Sequence, residues 1–123
     1  MMNLRNDMKV IKSAKPTVTA NALTQHTLRV LALKGYFAWR NNNGAVYDPT
    51  KKVFRANSTT KGIPDILGYR KSDGKFICCE IKAGKDKLSK EQSDFLSGVM
   101  DAGGVSFIIR GIDDIETLNK HVL

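Results

Sequence analysis

The sequence has little of what secreted, membrane-spanning or zinc-binding proteins need. Its 123 residues include only two cysteines, adjacent at Cys78 and Cys79, and only two histidines. Neighbouring cysteines make a poor disulfide framework and lack the spacing of a zinc site. No apolar run approaches the ~18 residues that a membrane span needs, and the first residues lack the apolar core of a signal peptide. We therefore expect a cytoplasmic protein with no membrane partner.

Acidic residues are scarce in the first half of the chain. Residues 1–62 carry eleven basic and two acidic side chains, whereas residues 63–123 carry nine and ten. The whole chain has a formal net charge of +8. Such an excess indicates a polyanionic partner, most often nucleic acid, although a merely soluble basic protein has the same composition.

Basic residues without a clear period predict a basic N-terminal arm at residues 1–17, and the apolar pattern that follows predicts a single α/β domain at 18–123. Between two strands the segment 41–62 is polar and loop-like, with room for a small hairpin around Asp48-Pro49. The predicted elements are a helix at about 19–34, strands at 36–40, 63–70 and 75–82, a helix at 89–102, a strand at 105–110 and a short helix with a capping box from Asp113 to Glu116. This order predicts helices packed on a mixed sheet.

The hairpin formed by the two middle strands carries the charged residues of interest. Residues two apart on a strand share a face, so Glu80 and Lys82 point the same way. A two-residue turn at Ser72-Asp73 sets Asp65 opposite Glu80, whereas a turn at Asp73-Gly74 sets it opposite Lys82. Both registers gather the two carboxylates and the amine on one face.

Two carboxylates that close repel each other unless a proton or a cation lies between them. Oxygen ligands without a histidine cluster favour Mg²⁺ or Mn²⁺ over zinc. Such an ion keeps positions for water and a phosphate oxygen, and a neighbouring lysine can orient the water or neutralise developing charge. A salt bridge at the end of a strand explains the same spacing equally well.

The motif Ile63-Pro64-Asp65, fourteen residues and then Glu80-Ile81-Lys82 resembles the signature of the PD-(D/E)XK nuclease superfamily. The surrounding residues are similar to its VRR-NUC branch, the virus-type replication-repair nucleases. The supporting segments are Lys61–Gly68, Lys85, Leu88-Ser89, Glu91-Gln92 and Ala102–Gly104. The resemblance covers roughly residues 20–116 and implies a restriction-endonuclease-like αβββαβ core with a mixed central sheet flanked by helices.

The resemblance also implies an activity. It points to a Mg²⁺- or Mn²⁺-dependent DNA endonuclease of replication, repair or recombination that selects branched DNA, such as a four-way (Holliday) junction. Similarity to junction resolvases implies a homodimer, and stand-alone nucleases of this kind are often encoded by phages. The alternative is a DNA-binding module that keeps the nuclease fold but has lost turnover.

The resemblance assigns roles to four residues of the motif. Asp65 and Glu80 are expected to bind the metal together with the backbone carbonyl of Ile81, and Lys82 is expected to assist the attacking water. A glutamine from the following helix, Gln92, is expected to support the catalytic site. The spacing of Ser89 and Gln92 is also that of a capping box, which explains Gln92 equally well.

The chain departs from the family in its first helix, which usually supplies a glutamate near the metal. No acidic residue occurs between Asp7 and Asp48. Asn21 and Gln25, one helical turn apart, are the nearest stand-ins. One negative charge fewer at the site can weaken metal binding.

Basic and amide side chains outside the motif are candidates for contacts with the DNA backbone, which position a duplex without reading its sequence. An ordinary turn or a solvated loop face explains them as well. The candidates are Arg40, Asn41, Asn43, Lys51, Lys52, Arg55, Lys61, Lys85 and Lys87. The aromatic residues Tyr36, Phe37 and Trp39 are expected in the core rather than as platforms for bases.

Overall fold

The computed structural model describes residues 18–41, 45–56 and 60–118. The predicted basic arm and Asn43 lie outside these ranges. The elements are α1 (Ala20–Leu33), β1 (Tyr36–Arg40), β2 (Ala45–Asp48), β3 (Val53–Ala56), β4 (Ile66–Arg70), β5 (Phe76–Ile81), α2 (Lys90–Asp101), β6 (Val105–Ile109) and α3 (Ile112–Glu116). The mixed α/β class predicted from the sequence is confirmed.

Four strands form one mixed sheet in the order β1-β4-β5-β6. The first three are antiparallel neighbours, and β6 runs parallel to β5 because α2 carries the chain back across the sheet. Strands β2 and β3 pair separately as a small antiparallel hairpin in the segment that follows β1. None of the helices in the described ranges has the length and apolar character to cross a lipid bilayer.

The two faces of the main sheet are covered differently. One face packs against α1 and α3 and forms the core, in which Leu31, Ile66, Ile77 and Phe107 are almost completely buried. On the opposite face, α2 packs over β5 and β6, with Leu96 buried beneath it. Strand β1 and its neighbour β4 therefore present that second face to solvent along part of their length. We call this second face the site face.

Local sequence signals explain where the helices begin and end. Thr19 caps α1, since its hydroxyl accepts a hydrogen bond of 3.1 Å from the backbone N–H of Ala22. The capping box predicted in the last helix is wrong. Helix α3 begins at Ile112 without a side-chain cap. The carboxylate of Asp114 instead accepts a hydrogen bond of 2.7 Å from the backbone N–H of Arg110.

The predicted strand at 63–70 begins three residues later than expected, at Ile66. Pro64 has no N–H to donate to a neighbouring strand, so the chain joins the β-ladder only after it. Asp65 consequently lies at the point where the loop enters the sheet, which leaves its side chain available to groups at the ends of the adjacent strands.

Candidate active site

The register of the β4–β5 hairpin brings Asp65 opposite Glu80. Ile66 pairs with Cys79, and one further step along both strands reaches the two carboxylates. The connecting turn is a four-residue loop, closed by a hydrogen bond of 2.8 Å from the Arg70 N–H to the Lys75 carbonyl. Neither two-residue turn predicted from the sequence forms, but the pairing is the one expected from a turn centred on Ser72-Asp73.

Backbone groups of both neighbouring strands hold Asp65. Its Oδ2 accepts a hydrogen bond of 2.8 Å from the backbone N–H of Ile81. Its own carbonyl accepts a hydrogen bond of 2.7 Å from the N–H of Asn41, the residue after β1. Asn41, predicted to contact DNA, thus takes part in positioning the loop that carries Asp65.

Glu80 is the buried carboxylate of the pair, with 2% of its surface exposed. Its Oε1 accepts a hydrogen bond of 3.3 Å from the side-chain nitrogen of Gln92. Its Oε2 is buried and has no hydrogen-bond partner within the described part of the chain. Burial, followed by the negative charge of Asp65, raises the pKa of Glu80 to about 8, although Lys82 acts in the opposite direction.

These features fit a divalent cation. A buried carboxylate oxygen without a donor, next to a second carboxylate, needs either a proton or a cation for compensation. Hard oxygen ligands suit Mg²⁺ or Mn²⁺. The described residues contain no cluster of three or more His, Cys, Asp or Glu side chains that could hold a metal. The two carboxylates would therefore leave several coordination positions to other oxygen atoms.

Gln92 reaches Glu80 from the first turn of α2. The capping box is present in full, since Ser89 Oγ accepts from the Gln92 N–H at 3.1 Å and Gln92 Oε1 accepts from the Ser89 N–H at 2.9 Å. The side-chain nitrogen of the same amide is left to donate to Glu80. The two explanations of Gln92 considered in the sequence, a cap and a site residue, are thus compatible.

A close backbone contact fixes the distance between the Asp65 loop and α2. Gly62 has a φ of +77°, and a Cβ at this position would overlap the backbone of Glu91 and lie 2.7 Å from the nitrogen of Gln92. Only glycine fits such a contact without displacement. Gly62 belongs to the family motif, but nothing in the sequence alone indicates this packing against α2.

Lys82 follows β5 directly and is half-buried. Its backbone N–H donates a hydrogen bond of 2.9 Å to the carbonyl of Ile109, which continues the parallel pairing past the last strand residue. The alternation of strand side chains places Lys82 on the same face as Glu80. Asp65, Glu80, Lys82 and Gln92 therefore meet at one end of the sheet.

Asn21 and Gln25 are the residues proposed to replace the missing glutamate of the first helix. The contacts found for them are not with the two carboxylates. Asn21 Oδ1 accepts a hydrogen bond of 2.6 Å from Arg40, so a predicted metal-site residue and a predicted DNA contact bind each other. Gln25 is exposed and lines a small pocket together with His26, Arg29 and Ile112.

The remaining basic candidates lie on the surface. Lys51 and Lys52 are exposed in the turn between β2 and β3, and Arg55 forms an ion pair of 2.9 Å with Asp48 on the same hairpin. Lys61, Lys85 and Lys87 are exposed in the segments that flank the carboxylates. The loop that bears Lys85 and Lys87 is held by Arg110, which donates a hydrogen bond of 2.6 Å to the carbonyl of Asp86. No pattern in the sequence indicates this role of Arg110.

The expectation that the aromatic residues of β1 belong to the core is wrong for two of the three. Tyr36 is buried, but Phe37 and Trp39 are 52% and 45% exposed. Both lie on the site face, and none of the helices in the described ranges covers that face at β1. Alternation along β1 separates them from Tyr36.

A mixed sheet with helices on both faces, and an acidic pair beside a lysine at the strand ends, defines a restriction-endonuclease-like α/β protein. The family model of the VRR-NUC domain matches residues 22–113, which is most of the chain. The chain belongs to the VRR-NUC family, and this membership implies a nuclease. No curated protein sequence matches the chain.

Proposed function

We propose that this protein is a Mg²⁺- or Mn²⁺-dependent endodeoxyribonuclease that hydrolyses phosphodiester bonds. The observation that carries the proposal is the buried Oε2 of Glu80, which has no donor within the described residues and lies beside the carboxyl group of Asp65. A cation at this point would compensate both carboxylates and remain open to a phosphate oxygen.

The residues of the site have distinct roles in this reaction. Asp65 and Glu80 would hold the cation together with the backbone carbonyl of Ile81. When bound, the divalent ion makes water a better nucleophile and stabilises the charge that develops on the phosphate. Lys82 donates a hydrogen bond to the attacking water or to the phosphate, and its positive charge offsets developing negative charge. Gln92 fixes the orientation of the Glu80 carboxylate.

Exposed cations near the carboxylates are suited to hold the sugar-phosphate backbone. Lys61 precedes the Asp65 loop, and Lys85 and Lys87 lie in the loop after Lys82. Two further exposed cations, Lys51 and Lys52, lie in the turn of the β2–β3 hairpin. Such contacts give affinity that falls steeply with salt and does not depend on base sequence.

We further propose that the substrate is branched or otherwise structured DNA and that the active species is a homodimer in the cytoplasm. A domain of this size has little surface for reading a base sequence, so selection by DNA shape is favoured. Two cuts in a four-way junction require two active sites, which a two-fold symmetric dimer provides.

The test is cleavage of nicked, flapped, four-way and intact duplex DNA with Mg²⁺, with Mn²⁺ and with a chelator. The wild-type protein is expected to cut only when metal is supplied, whereas Lys82→Ala and Glu80→Gln lose activity. Lys71→Ala, an exposed lysine in the loop between β4 and β5, is the matched control and should cut normally. Cleavage by both site variants at the wild-type rate would overturn the proposal.

A second candidate is a DNA-binding module without turnover. The observation that favours it is the first helix, where Asn21 is bonded to Arg40 in place of the usual acidic ligand. This module would bind DNA in a salt-dependent manner but would leave every substrate intact with either metal. The cleavage assay, combined with a binding measurement on the same DNA, separates the two functions.

A further inference from the structure

Three aromatic rings form a continuous exposed strip on the site face, consisting of Phe37, Trp39 and Tyr69. They are 52%, 45% and 42% exposed. Phe37 stacks on Tyr69 with ring centroids 5.4 Å apart and an interplanar angle of 23°. The centroid of Trp39 is 6.1 Å from that of Phe37. Core packing does not account for three large rings that remain half exposed and in mutual contact.

The pairing of the strands places this aromatic strip in line with the carboxylates. Trp39 pairs with Leu67, and Leu67 lies two residues beyond Asp65 on the same face of β4. Phe37 pairs with Tyr69, two residues further along. With about 3.4 Å per strand residue, the strip begins about 7 Å from Asp65 in the strand direction and leads away from it.

The edge of the sheet gives a ligand access to the rings. Strand β1 is the outermost strand of the four-stranded sheet, so none of its described strands lies beyond Phe37 and Trp39. No acidic residue occurs in β1 or β4. Arg40 and Arg70 alternate with the rings and point to the opposite face of the sheet, where Arg40 donates to Asn21 and Arg70 pairs with Asp73. A flat, uncharged ligand suits the rings, and the net charge of +8 on the chain suits the attachment of that ligand to a polyanion.

We propose that the aromatic strip binds unpaired nucleobases of the DNA strand whose phosphate lies at the carboxylates. The bases stack on Trp39 and Phe37 while the sugar-phosphate chain continues to Asp65 and Glu80. Stacking of bases on exposed aromatic side chains of a sheet is an established mode of binding single strands, and it tolerates any sequence. Bases inside an intact duplex are already stacked on each other, so they cannot reach the strip.

This inference rests on the proposed nuclease function and specifies its substrate. The protein selects DNA with unpaired nucleotides next to the scissile bond, as at flaps, junction centres and frayed ends. Selection of this kind needs no base-specific hydrogen bonds. It gives a domain of 123 residues a means of distinguishing branched from intact DNA.

Trp39 is the only tryptophan in the chain and therefore reports directly on the strip. Its fluorescence is followed while a single-stranded oligonucleotide, or a blunt duplex of the same sequence, is added in a chelating buffer that prevents cleavage. The single strand is expected to quench the emission, and the duplex is expected to have much less effect.

Variants test whether stacking carries the affinity. Phe37→Ala should weaken binding of the single strand by about 5- to 150-fold, the range expected for the loss of one base–aromatic contact. Phe37→Tyr, which keeps an aromatic ring, should restore it. Leu33→Ala removes an exposed apolar side chain at the end of α1 and should bind as the wild type does. Circular dichroism of each variant verifies that the fold is intact.

Two outcomes would overturn the inference. In the first, single-stranded DNA leaves the emission of Trp39 unchanged although DNA binding is detected by other means. In the second, the emission shifts with protein concentration in the absence of DNA and sedimentation shows a dimer, so that a second copy covers the strip. Because these measurements need no metal and no cleavage, a failure of the nuclease function alone would leave the binding results unaffected.

Discussion

The side-chain amide of Gln92 joins the N-terminus of α2 to the buried carboxylate of Glu80. Its nitrogen donates to Glu80 Oε1 at 3.3 Å, and its oxygen accepts from the backbone N–H of Ser89 at 2.9 Å. A bond that satisfies the helix terminus therefore also fixes the rotamer that reaches the carboxylate. The position of Glu80 depends in this way on the start of a helix that follows it in the chain.

Substitutions at the two ends of this cap should have separable effects. Gln92→Ala and Ser89→Ala each remove one capping bond and should each lower the free energy of unfolding by about 1 kcal/mol. Only Gln92→Ala also removes the donor to Glu80, so only this variant should weaken the binding of Mn²⁺. Urea denaturation measures the first effect, and the rise in melting temperature with added Mn²⁺ measures the second. An equal rise in melting temperature with Mn²⁺ in both variants would show that Gln92 acts only as a helix cap.

The stability of the metal-free protein should fall as the pH rises from about 4.5 to about 8. The folded state raises the pKa of Glu80 from 4.5 to about 8, so within this window the folded state binds a proton that the unfolded state releases. The protonated Glu80 contributes its full stabilisation below the unfolded-state pKa of 4.5. This contribution is lost as the pH rises through the folded-state pKa of about 8. Thermal unfolding at a series of pH values in a chelating buffer measures this slope.

Glu80→Gln provides the control for the pH dependence. An uncharged amide cannot titrate, so the variant should lose this part of the slope and should be more stable than the wild type at pH 8 without metal. Saturating Mg²⁺ or Mn²⁺ should stabilise the wild type at that pH and should have little effect on Glu80→Gln. A slope that persists unchanged in the variant would assign the titration to another group.

A third prediction compares two glycines of nearly equal backbone conformation. Gly62 and Gly74 have φ values of +77° and +74°, so alanine at either position carries a similar cost of about 1–2 kcal/mol for the left-handed region. A Cβ at Gly74 meets no heavy atom within 4 Å, whereas one at Gly62 overlaps the backbone of Glu91. Gly62→Ala should therefore destabilise the protein more than Gly74→Ala.

The comparison is measured by urea denaturation of both variants. Because the contact of Gly62 with α2 sets the distance between the Asp65 loop and Gln92, Gly62→Ala should also reduce stabilisation by Mn²⁺, and Gly74→Ala should not. The same loss of unfolding free energy in both variants would show that α2 shifts to accommodate the methyl group at position 62 at no cost in free energy.

The periodicity of apolar residues and the residues that cap the helices are sufficient to predict most of the secondary structure. Thr19 and Ser89 mark the starts of two helices because their hydroxyls accept from backbone N–H groups within the first turn. The alternation in β5 places Glu80 and Lys82 on one face whatever the register. The predicted start of β4 was three residues early, since periodicity does not reveal which residues find a partner strand. The cap predicted at Asp113 failed for a similar reason, as Asp114 accepts from Arg110 instead.

The sequence by itself therefore determined the order of the elements, the charges of the site and the side of the strand to which each side chain points, because these follow from local geometry. Only the tertiary structure decided that Glu80 is buried beneath the start of α2, that Gly62 touches that helix and that Phe37 and Trp39 stay exposed at the edge of the sheet. Burial depends on which distant element covers a surface, and α2 covers β5 and β6 but leaves β1 open. Side chains of similar hydrophobicity therefore belong to the core on one face of β1 and to a surface strip on the other.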